Sequence, residues 1–287
     1  MNKMNDDFIM LPTVDFCFKE LMQNPKVRMG FIAALLGCKP EEIRETALLP
    51  TILRQETIDG KTGILDVRIL LTDGTQIDME MQVAPFEHWD KRVLFYLGKM
   101  FTDQLKKGEY YDKLQKCIHV SILNFIHFPE DGICYRTIHL RDDRSMELYT
   151  DLLELQILEL KKLPSDQYSG EGVLNWMKFF CGKNRKEFLD MAKKNEYLDE
   201  AYQTLLTLSA DEEKRLEYEA REKALKDYNS QIHSAEERGI KIGEARGEDN
   251  SMKLINELIT RGRNDDVARA VKDKTYRRQL LEEFNLI

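Results

Sequence analysis

Polar side chains recur at alternate positions in two neighbouring segments of the sequence. Asp66 lies in the first segment, and Asp78, Glu80 and Gln82 lie in the second, each separated from the next by one apolar residue. Because successive side chains of a strand point to opposite faces of a sheet, the alternation predicts two strands with one polar and one apolar face. The two predicted strands span residues 64–71 and 76–83.

The turn between these strands decides whether the polar side chains meet. A two-residue turn would place Asp66 opposite an apolar residue, whereas a three-residue turn with Gly74 in the left-handed region shifts the register by one. Only the shifted register keeps apolar residues opposite apolar ones, for example Val67 opposite Met79. It also places Asp66 opposite Glu80, with Cβ atoms about 5 Å apart.

Two opposed carboxylates repel each other, and a divalent cation between them removes the repulsion. Carboxylate oxygens suit Mg²⁺ or Mn²⁺, which take one or two carboxylates from a protein and keep several waters. We therefore interpret Asp66 and Glu80 as candidate metal ligands, with the backbone carbonyl of Met81 as a third. A hairpin with one charged face also occurs without any ligand, and an exposed pair of Arg68 with Asp78 would contribute little to stability. From the residues alone, a metal site and a plain polar face both remain open.

The elements around this hairpin follow the order helix, three strands, helix, strand. The apolar spacing predicts helices, and β-branched or alternating runs predict strands. The residues 117–128 are nearly all apolar or β-branched, which is typical of a strand buried on both faces. The further predicted elements are helices over 14–22, 26–36 and 91–105 and strands over 47–55, 134–140 and 152–160. This order predicts an α/β fold.

The second half of the chain is predicted to be helical. Helices are predicted over 172–181, 183–194 and 198–228, and short helices broken at Gly262 and near Asp273 follow in 251–287. Gly239, Gly243 and Gly247 share one helix face, and glycine costs about 1 kcal/mol inside a helix. We therefore expect either a closely approaching partner helix, and with it self-association, or a region that is unstable alone. The predicted domain division is 1–165, 166–230 as a helical extension, and 231–287 as a tail that could oligomerise.

Composition narrows the possible classes of protein. The chain has 287 residues, 42% of them hydrophobic, which is enough for a sizeable core, and its net charge of −8 argues against bulk coating of nucleic acid. Residues 81–120 are mildly basic, with seven Lys or Arg against five acids. Five cysteines without a CxxC pair argue against a disulfide framework and a zinc site, and no apolar run approaches the roughly 20 residues of a membrane helix. A cytoplasmic location is the resulting expectation.

The ordered set of motifs resembles the PD-(D/E)XK nuclease superfamily, and more narrowly its recombination-promoting nuclease (Rpn) and transposase group. The central motif is LDVR, a turn, and IDMEMQV. The other matching blocks are LPTVDFCFKELM, RVLFY, QLKKGEY, CIHVSILNFIHF, LELKKLP and the glycine-spaced helix. The resemblance implies a restriction-endonuclease-like core, made of a helix, a three-stranded meander, a helix and a strand, with an α-helical carboxyl-terminal extension.

The resemblance also implies a reaction, the hydrolysis of DNA phosphodiester bonds by an endonuclease with Mg²⁺ or Mn²⁺, linked to recombination or mobile elements. Asp66 and Glu80 would hold the metal, which activates a water. Gln82 occupies the position where most superfamily members carry lysine. Since a neutral amide can only hydrogen-bond, Gln82 is interpreted as a positioner of water or phosphate.

Further side chains are candidates for supporting roles. Asp15 could reach the metal through a water, or could simply cap its helix. Lys19 could meet a phosphate, but a solvated helix residue is the favoured interpretation. Arg92 and Tyr96 lie four residues apart on one predicted helix face and can project together. Arg92 is a candidate phosphate clamp, with a structural Arg–carboxylate pair as the alternative.

Three functional hypotheses follow from the sequence. The first is a Mg²⁺-dependent DNA endonuclease. The second is a DNA-binding relative with weak catalysis, which the missing lysine and the negative charge favour. The third is a non-enzymatic interaction protein whose carboxylates form an ordinary polar sheet face.

Overall fold

Residues 7–43, 45–51, 65–164 and 172–287 are described by the structure, a computed structural model. The chain divides into two units, one up to Lys223 and one from Ala224 onward. The first unit contains a mixed sheet and the helices that pack on it, and the second is helical. No helix among the described residues combines the length and apolar character that crossing a membrane requires.

The sheet of the first unit has six strands in the order β1-β2-β3-β4-β6-β5. Strands β1, β2 and β3 form an antiparallel meander, β3, β4 and β6 run parallel, and β5 pairs antiparallel with β6 at the far edge. The strands are β1 (Thr46–Leu49), β2 (Val67–Leu71), β3 (Gln76–Gln82), β4 (Cys117–Leu123), β5 (Tyr135–Arg141) and β6 (Leu148–Glu159). The predicted strand over 47–55 corresponds to β1, and its part beyond residue 51 lies outside the described residues.

The hairpin of β2 and β3 has the predicted register. Val67 pairs with Met79 and Ile69 pairs with Ile77. Gly74 adopts a φ of 89°, which is the left-handed conformation that the three-residue turn requires. The turn is closed by the Gly74 amide, which donates to the Leu71 carbonyl at 3.0 Å. The apolar side chains of both strands therefore lie on one face of the sheet and the polar ones on the other.

Among the described residues, six α-helices belong wholly to the first unit. These are α1 (Asp15–Gln23), α2 (Pro25–Leu36), α3 (Trp89–Thr102), α4 (Val173–Phe180), α5 (Arg185–Ala192) and α6 (Glu196–Ala210). Asn24 separates α1 from α2, and its side chain caps α2 by accepting hydrogen bonds from the amides of Lys26 and Val27. Pro25 at the first position of α2 loses no helical hydrogen bond, because that amide has no partner within the helix.

The two faces of the sheet bury different partners. On the face of Ile69, Met79 and Val120, the sheet packs against aromatic side chains of α1, α2 and α4, which include Phe18, Phe31, Trp176 and Phe180. On the other face, Trp89 and Val93 of α3 pack on Leu123 and Ile157. Because β4 alternates between these two clusters, it is buried along its whole length, as predicted. The strand ends at Leu123, however, and the prediction that it extends to residue 128 is wrong, since Ile126 is 53% exposed.

The helices after the sheet share its core. Side chains of α4, α5 and α6, including Trp176, Phe188 and Leu205, belong to the same buried cluster as the β2–β3 hairpin. The structure therefore joins these helices to the sheet within one unit, although the sequence placed a boundary near residue 165. The division into a nuclease-like domain over 1–165, a helical extension over 166–230 and a helical tail over 231–287 stays a prediction.

The charged helix predicted over 198–228 is interrupted in the structure. Helix α6 ends at Ala210, and the side chain of Asp211 then accepts a hydrogen bond from the amide of Lys214, which caps a new helix. This helix, α7 (Glu212–Thr260), contains the three spaced glycines. A Cβ atom added to any of these three glycines would have no neighbouring atom within 4 Å. Among the described residues, therefore, nothing packs against this face of the helix.

The second unit ends in two short helices, as the sequence predicted. Gly262 adopts a φ of 71° after α7, and α8 (Asn264–Lys272) and α9 (Lys274–Glu283) follow. The side chain of Asp273 caps α9 by accepting a hydrogen bond from the Tyr276 amide. Leu254, Leu258 and Leu280 form the small buried cluster of this unit.

Candidate active site

The polar row of the hairpin lies at the edge of the sheet where β2 begins and β3 ends. Asp78 and Glu80 are buried in β3, with 1% and 5% of their surface exposed, and Gln82 is half-buried at the end of the strand. Asp66 directly precedes β2. Since Val67 pairs with Met79, one further step in the same register brings Asp66 opposite Glu80.

Lys19 of α1 forms an ion pair with Asp66. The Lys19 Nζ lies 2.8 Å from Asp66 Oδ1 and 3.7 Å from Asp15 Oδ2. The expectation of a solvated Lys19 is therefore wrong, because the helix places this side chain over the start of β2. Asp15 does not cap its helix, since the residue at the cap is Val14 and no side chain accepts a hydrogen bond there. Burial raises the pKa of the Asp66 carboxyl, and the charge of Lys19 opposes this rise.

Arg92 of α3 holds Glu80 and Gln82 together. Its Nη2 donates to Glu80 Oε2 at 2.9 Å and to Gln82 Oε1 at 2.7 Å. The Arg92 guanidinium lies 5.9 Å from the ring of Tyr96 and 5.6 Å from the ring of Phe86. Arg92 and Tyr96 thus project together, as their spacing predicted. In this state Arg92 forms the Arg–carboxylate pair, which was the alternative to a phosphate clamp.

The buried carboxylates influence one another. Burial raises the pKa of Glu80, and the charges of Asp78 and Asp66 raise it further, while His119 and Arg92 lower it. Burial likewise raises the pKa of the Tyr96 hydroxyl, with an additional contribution from Glu80. Neighbouring groups with perturbed pKa values are typical of functional sites.

A hydrogen-bonded chain of buried side chains runs beside Glu80. The His119 Nδ1 lies 2.7 Å from Asp78 Oδ2, and its Nε2 lies 2.8 Å from Ser121 Oγ. Burial lowers the pKa of His119, but the charge of Asp78 and its hydrogen bond outweigh this, so the net pKa is raised. His119 and Ser121 are not identified from the sequence, because they lie within a strand that is otherwise nearly all apolar. Their alternation with Ile118 and Val120 was the available signal.

The donor set fits a divalent cation of the Mg²⁺ type. Lys19 and Arg92 each hold one oxygen of a carboxylate, so Asp66 Oδ2 and Glu80 Oε1 have no protein partner among the described residues. Asp78 Oδ1 is buried with no hydrogen-bond partner. Carboxylate oxygens are hard ligands, which divalent cations of this type prefer. A cation bound between carboxylates that raise each other's pKa would also relieve their repulsion. The described ranges contain no group of three His, Cys, Asp or Glu side chains that could hold a metal ion. Backbone or water ligands would therefore complete the coordination shell of the metal.

The fold and the site together define the class of protein. A carboxylate pair at the junction of β2 and β3, flanked by α1 and α3 on a mixed sheet, is consistent with a PD-(D/E)XK nuclease fold. Residues 12–235 match the PD-(D/E)XK nuclease family transposases, so the chain belongs to this family. The family suggests a nuclease role in mobile elements. No curated protein and no solved structure matches this chain.

Proposed function

We propose that this chain is a metal-dependent DNA endonuclease that hydrolyses phosphodiester bonds and is associated with recombination or mobile elements. The observation that carries the proposal is the group of acidic side chains at the β2–β3 edge of the sheet. There Asp66 and Glu80 converge, burial raises the pKa of both carboxyls, and each carboxylate keeps one oxygen without a protein partner among the described residues. The family membership supports the same activity.

Asp66 and Glu80 would hold Mg²⁺ or Mn²⁺, with the Met81 carbonyl as a third protein ligand. When bound, the metal supplies an activated water and polarises the phosphoryl oxygen. Gln82 positions water or phosphate through its amide, which in the present state accepts from Arg92 and donates to the Ala84 carbonyl at 3.3 Å.

Lys19 and Arg92 balance the charge of the carboxylates in the present state. A dication at the carboxylates would supply that balance instead, and the two cationic side chains could then hydrogen-bond to DNA phosphate oxygens. Arg92 would in this way act as the predicted clamp after leaving its structural pair. Tyr96, beside Arg92, and Asp15, beside Lys19, are positioned to orient these two cations.

The second candidate is a DNA-binding relative with weak catalysis. Gln82 favours it, because a neutral amide cannot stabilise phosphate charge as lysine does. The ion pairs of Asp66 and Glu80 favour it as well, since both would have to be exchanged before a metal is held.

A plasmid-nicking assay with a matched pair of variants separates these candidates. Asp66→Asn removes the charge of one candidate ligand. Asp73→Asn makes the same change in the turn of the same hairpin, where the side chain accepts a hydrogen bond from the Thr75 amide and asparagine can do so too. We expect Mg²⁺-dependent nicking by the wild type and Asp73→Asn, and loss of nicking with retained DNA binding in Asp66→Asn.

The other outcomes identify the alternatives. DNA binding without cleavage by the wild type supports the second candidate, and neither binding nor cleavage supports an interaction protein. Thermal denaturation gives an independent measure, because Mg²⁺ at about 100 times its dissociation constant stabilises a folded protein by about 2.7 kcal/mol. For a unit of this size that is a shift of roughly 5–10 °C. Asp66→Asn should lose the shift and Asp73→Asn should keep it.

A further inference from the structure

A groove of about 930 Å³ opens beside the candidate site in the first unit. Its floor is apolar and includes Leu11, Leu160, Leu163 and Met191. The volume lies at the upper end of the range of about 300–1,000 Å³ that small-molecule sites occupy. The groove is therefore large enough for more than a single ion.

Four lysines line the groove. They are Lys161, Lys178, Lys183 and Lys194. Within the described ranges none of their ammonium groups forms an ion pair or a hydrogen bond, in contrast to Lys19, Lys99 and Lys162 elsewhere in the unit. Four unpaired cations around one groove create a local positive potential on a chain whose net charge is −8.

The two acids that line the groove are engaged by other groups. Glu187 accepts hydrogen bonds from the Lys183 amide at 2.9 Å and the Asn184 side chain at 2.6 Å, which fixes it at the start of α5. Asp190 pairs with Lys193 at 2.8 Å, outside the groove lining. The lysines therefore keep a net excess of positive charge in the groove.

The groove opens at the same end of the sheet as the candidate site, on the face that α1 and α4 cover. Asn124 lines the groove directly after β4, and its amide donates to the Gln82 carbonyl at 2.9 Å. Leu160 lines it directly after β6, one strand further along. Since neighbouring strands lie about 4.8 Å apart, the groove begins within about 10 Å of Gln82. Thr13, also in the lining, lies two residues before Asp15.

We propose that this groove binds single-stranded DNA adjoining the scission site, with phosphates on the lysines and bases over the apolar floor. A single strand exposes both its phosphates and its apolar base faces. In a duplex the base faces are stacked on one another and cannot pack against the apolar side chains of the groove. The inference rests on the proposed function, since it names the form of the nucleic acid that the nuclease site receives.

Binding measured in EDTA isolates the groove from any metal at the carboxylates. The probe is a fluorescent DNA strand of about 12 nucleotides, followed by anisotropy over a range of salt. Each phosphate contact on a single strand changes the slope of log K against log salt by about 0.7, which at about 0.1 M salt is a factor of about five. We therefore expect the full-length Lys178→Gln/Lys183→Gln variant to bind about 25-fold more weakly, with a slope smaller by about 1.4.

The matched control is Lys39→Gln/Lys186→Gln, which removes two exposed lysines of the same unit that do not line the groove. We expect it to bind within about twofold of the wild type, because it removes no phosphate contact. Equal losses in the two double variants would overturn the groove assignment and show a diffuse electrostatic effect. An unchanged affinity of Lys178→Gln/Lys183→Gln would overturn it as well.

A duplex of the same sequence tests the preference for a single strand. We expect weaker duplex binding that is little changed by Lys178→Gln/Lys183→Gln, and an equal loss for duplex and single strand would overturn this preference. The readout is separate from cleavage. If the wild type cleaves no DNA but its binding still depends on the groove lysines, the proposed nuclease activity is refuted and the groove assignment is kept. If the wild type cleaves DNA but its binding does not depend on the groove lysines, the groove assignment is refuted and the nuclease activity is kept.

Discussion

The ion pair between Arg92 and Glu80 allows a quantitative test of the site. Replacing Arg92 by methionine keeps an apolar stem beside Phe86 and Tyr96 but removes the donor to Glu80 and Gln82. Removing one partner of a buried pair costs about 3–5 kcal/mol. Because a quarter of the Arg92 side chain is exposed, water can replace part of the interaction, and we expect a loss of about 2–3 kcal/mol.

The loss should depend on pH in a defined direction. Burial raises the pKa of Glu80 in the folded state above its value in the unfolded state, so the folded protein binds this proton more tightly. The stability of the fold therefore falls as the pH rises through the interval between these two pKa values. Arg92 lowers this pKa, so its removal extends the interval upward. The destabilisation by Arg92→Met should therefore be larger at about pH 8 than at about pH 5.5. Asp66, Asp78 and His119 face Glu80 in both proteins, so their electrostatic effect on Glu80 is common to the two and largely cancels in the comparison.

A double-mutant cycle in urea measures the pair itself. The cycle compares the wild type, Arg92→Met, Glu80→Gln and the double variant at both pH values. Glu80→Gln removes the buried charge, so Arg92→Met should cost much less in that background, with a coupling of about 1.5 kcal/mol or more at about pH 8. A coupling below about 0.5 kcal/mol, or a loss that does not change with pH, would refute the assigned pair.

Two further predictions concern the packing of the first unit and assembly. A Cβ on Gly30 would lie 2.5 Å from the Tyr197 Cβ, so Gly30→Ala should destabilise the first unit by about 1–3 kcal/mol in urea denaturation. The same substitution at Gly98 meets nothing within 4 Å and should be neutral or stabilising, and equal effects at the two positions would contradict the packing of α2 on α6. The open glycine face of α7 predicts a dimer or larger species by light scattering that becomes monomeric when residues 230–287 are removed, and a monomeric full-length chain would end this proposal.

The hairpin could be predicted in detail because its information is local. Period-two alternation and one turn glycine fix the register, and a shift by one residue would bury Asp78 and Glu80 against the apolar helices. The order of elements and the breaks at Gly262 and Asp273 followed from similarly local signals. The interruption at Asp211 was missed because the charged pattern of residues 198–228 continues across it, and only the capping hydrogen bond to Lys214 marks a new helix.

The partners within the site were harder to predict because they depend on long-range packing. Lys19 is 47 positions away from Asp66 in sequence, and its side chain reaches the carboxylate only because α1 packs beside the hairpin. Arg92 had two plausible roles from sequence, and the distance between α3 and β3 decides which one it has in this state. Leu94 of α3 is apolar, yet 59% of it is exposed, because α3 covers the sheet through Trp89, Val93 and Leu97.

The buried chain of Asp78, His119 and Ser121 has the hydrogen-bond order of an acid, a base and a hydroxyl nucleophile, but its burial gives it a different role. All three side chains are at most 1% exposed, so a substrate cannot reach the Ser121 hydroxyl. Ser121 pairs with Glu80 across neighbouring strands. The chain therefore fixes Asp78 and His119 beside Glu80, where the charge of His119 lowers the Glu80 pKa and the charge of Asp78 raises it. These buried side chains therefore set the electrostatic environment of the candidate ligand Glu80, and they do not attack a substrate.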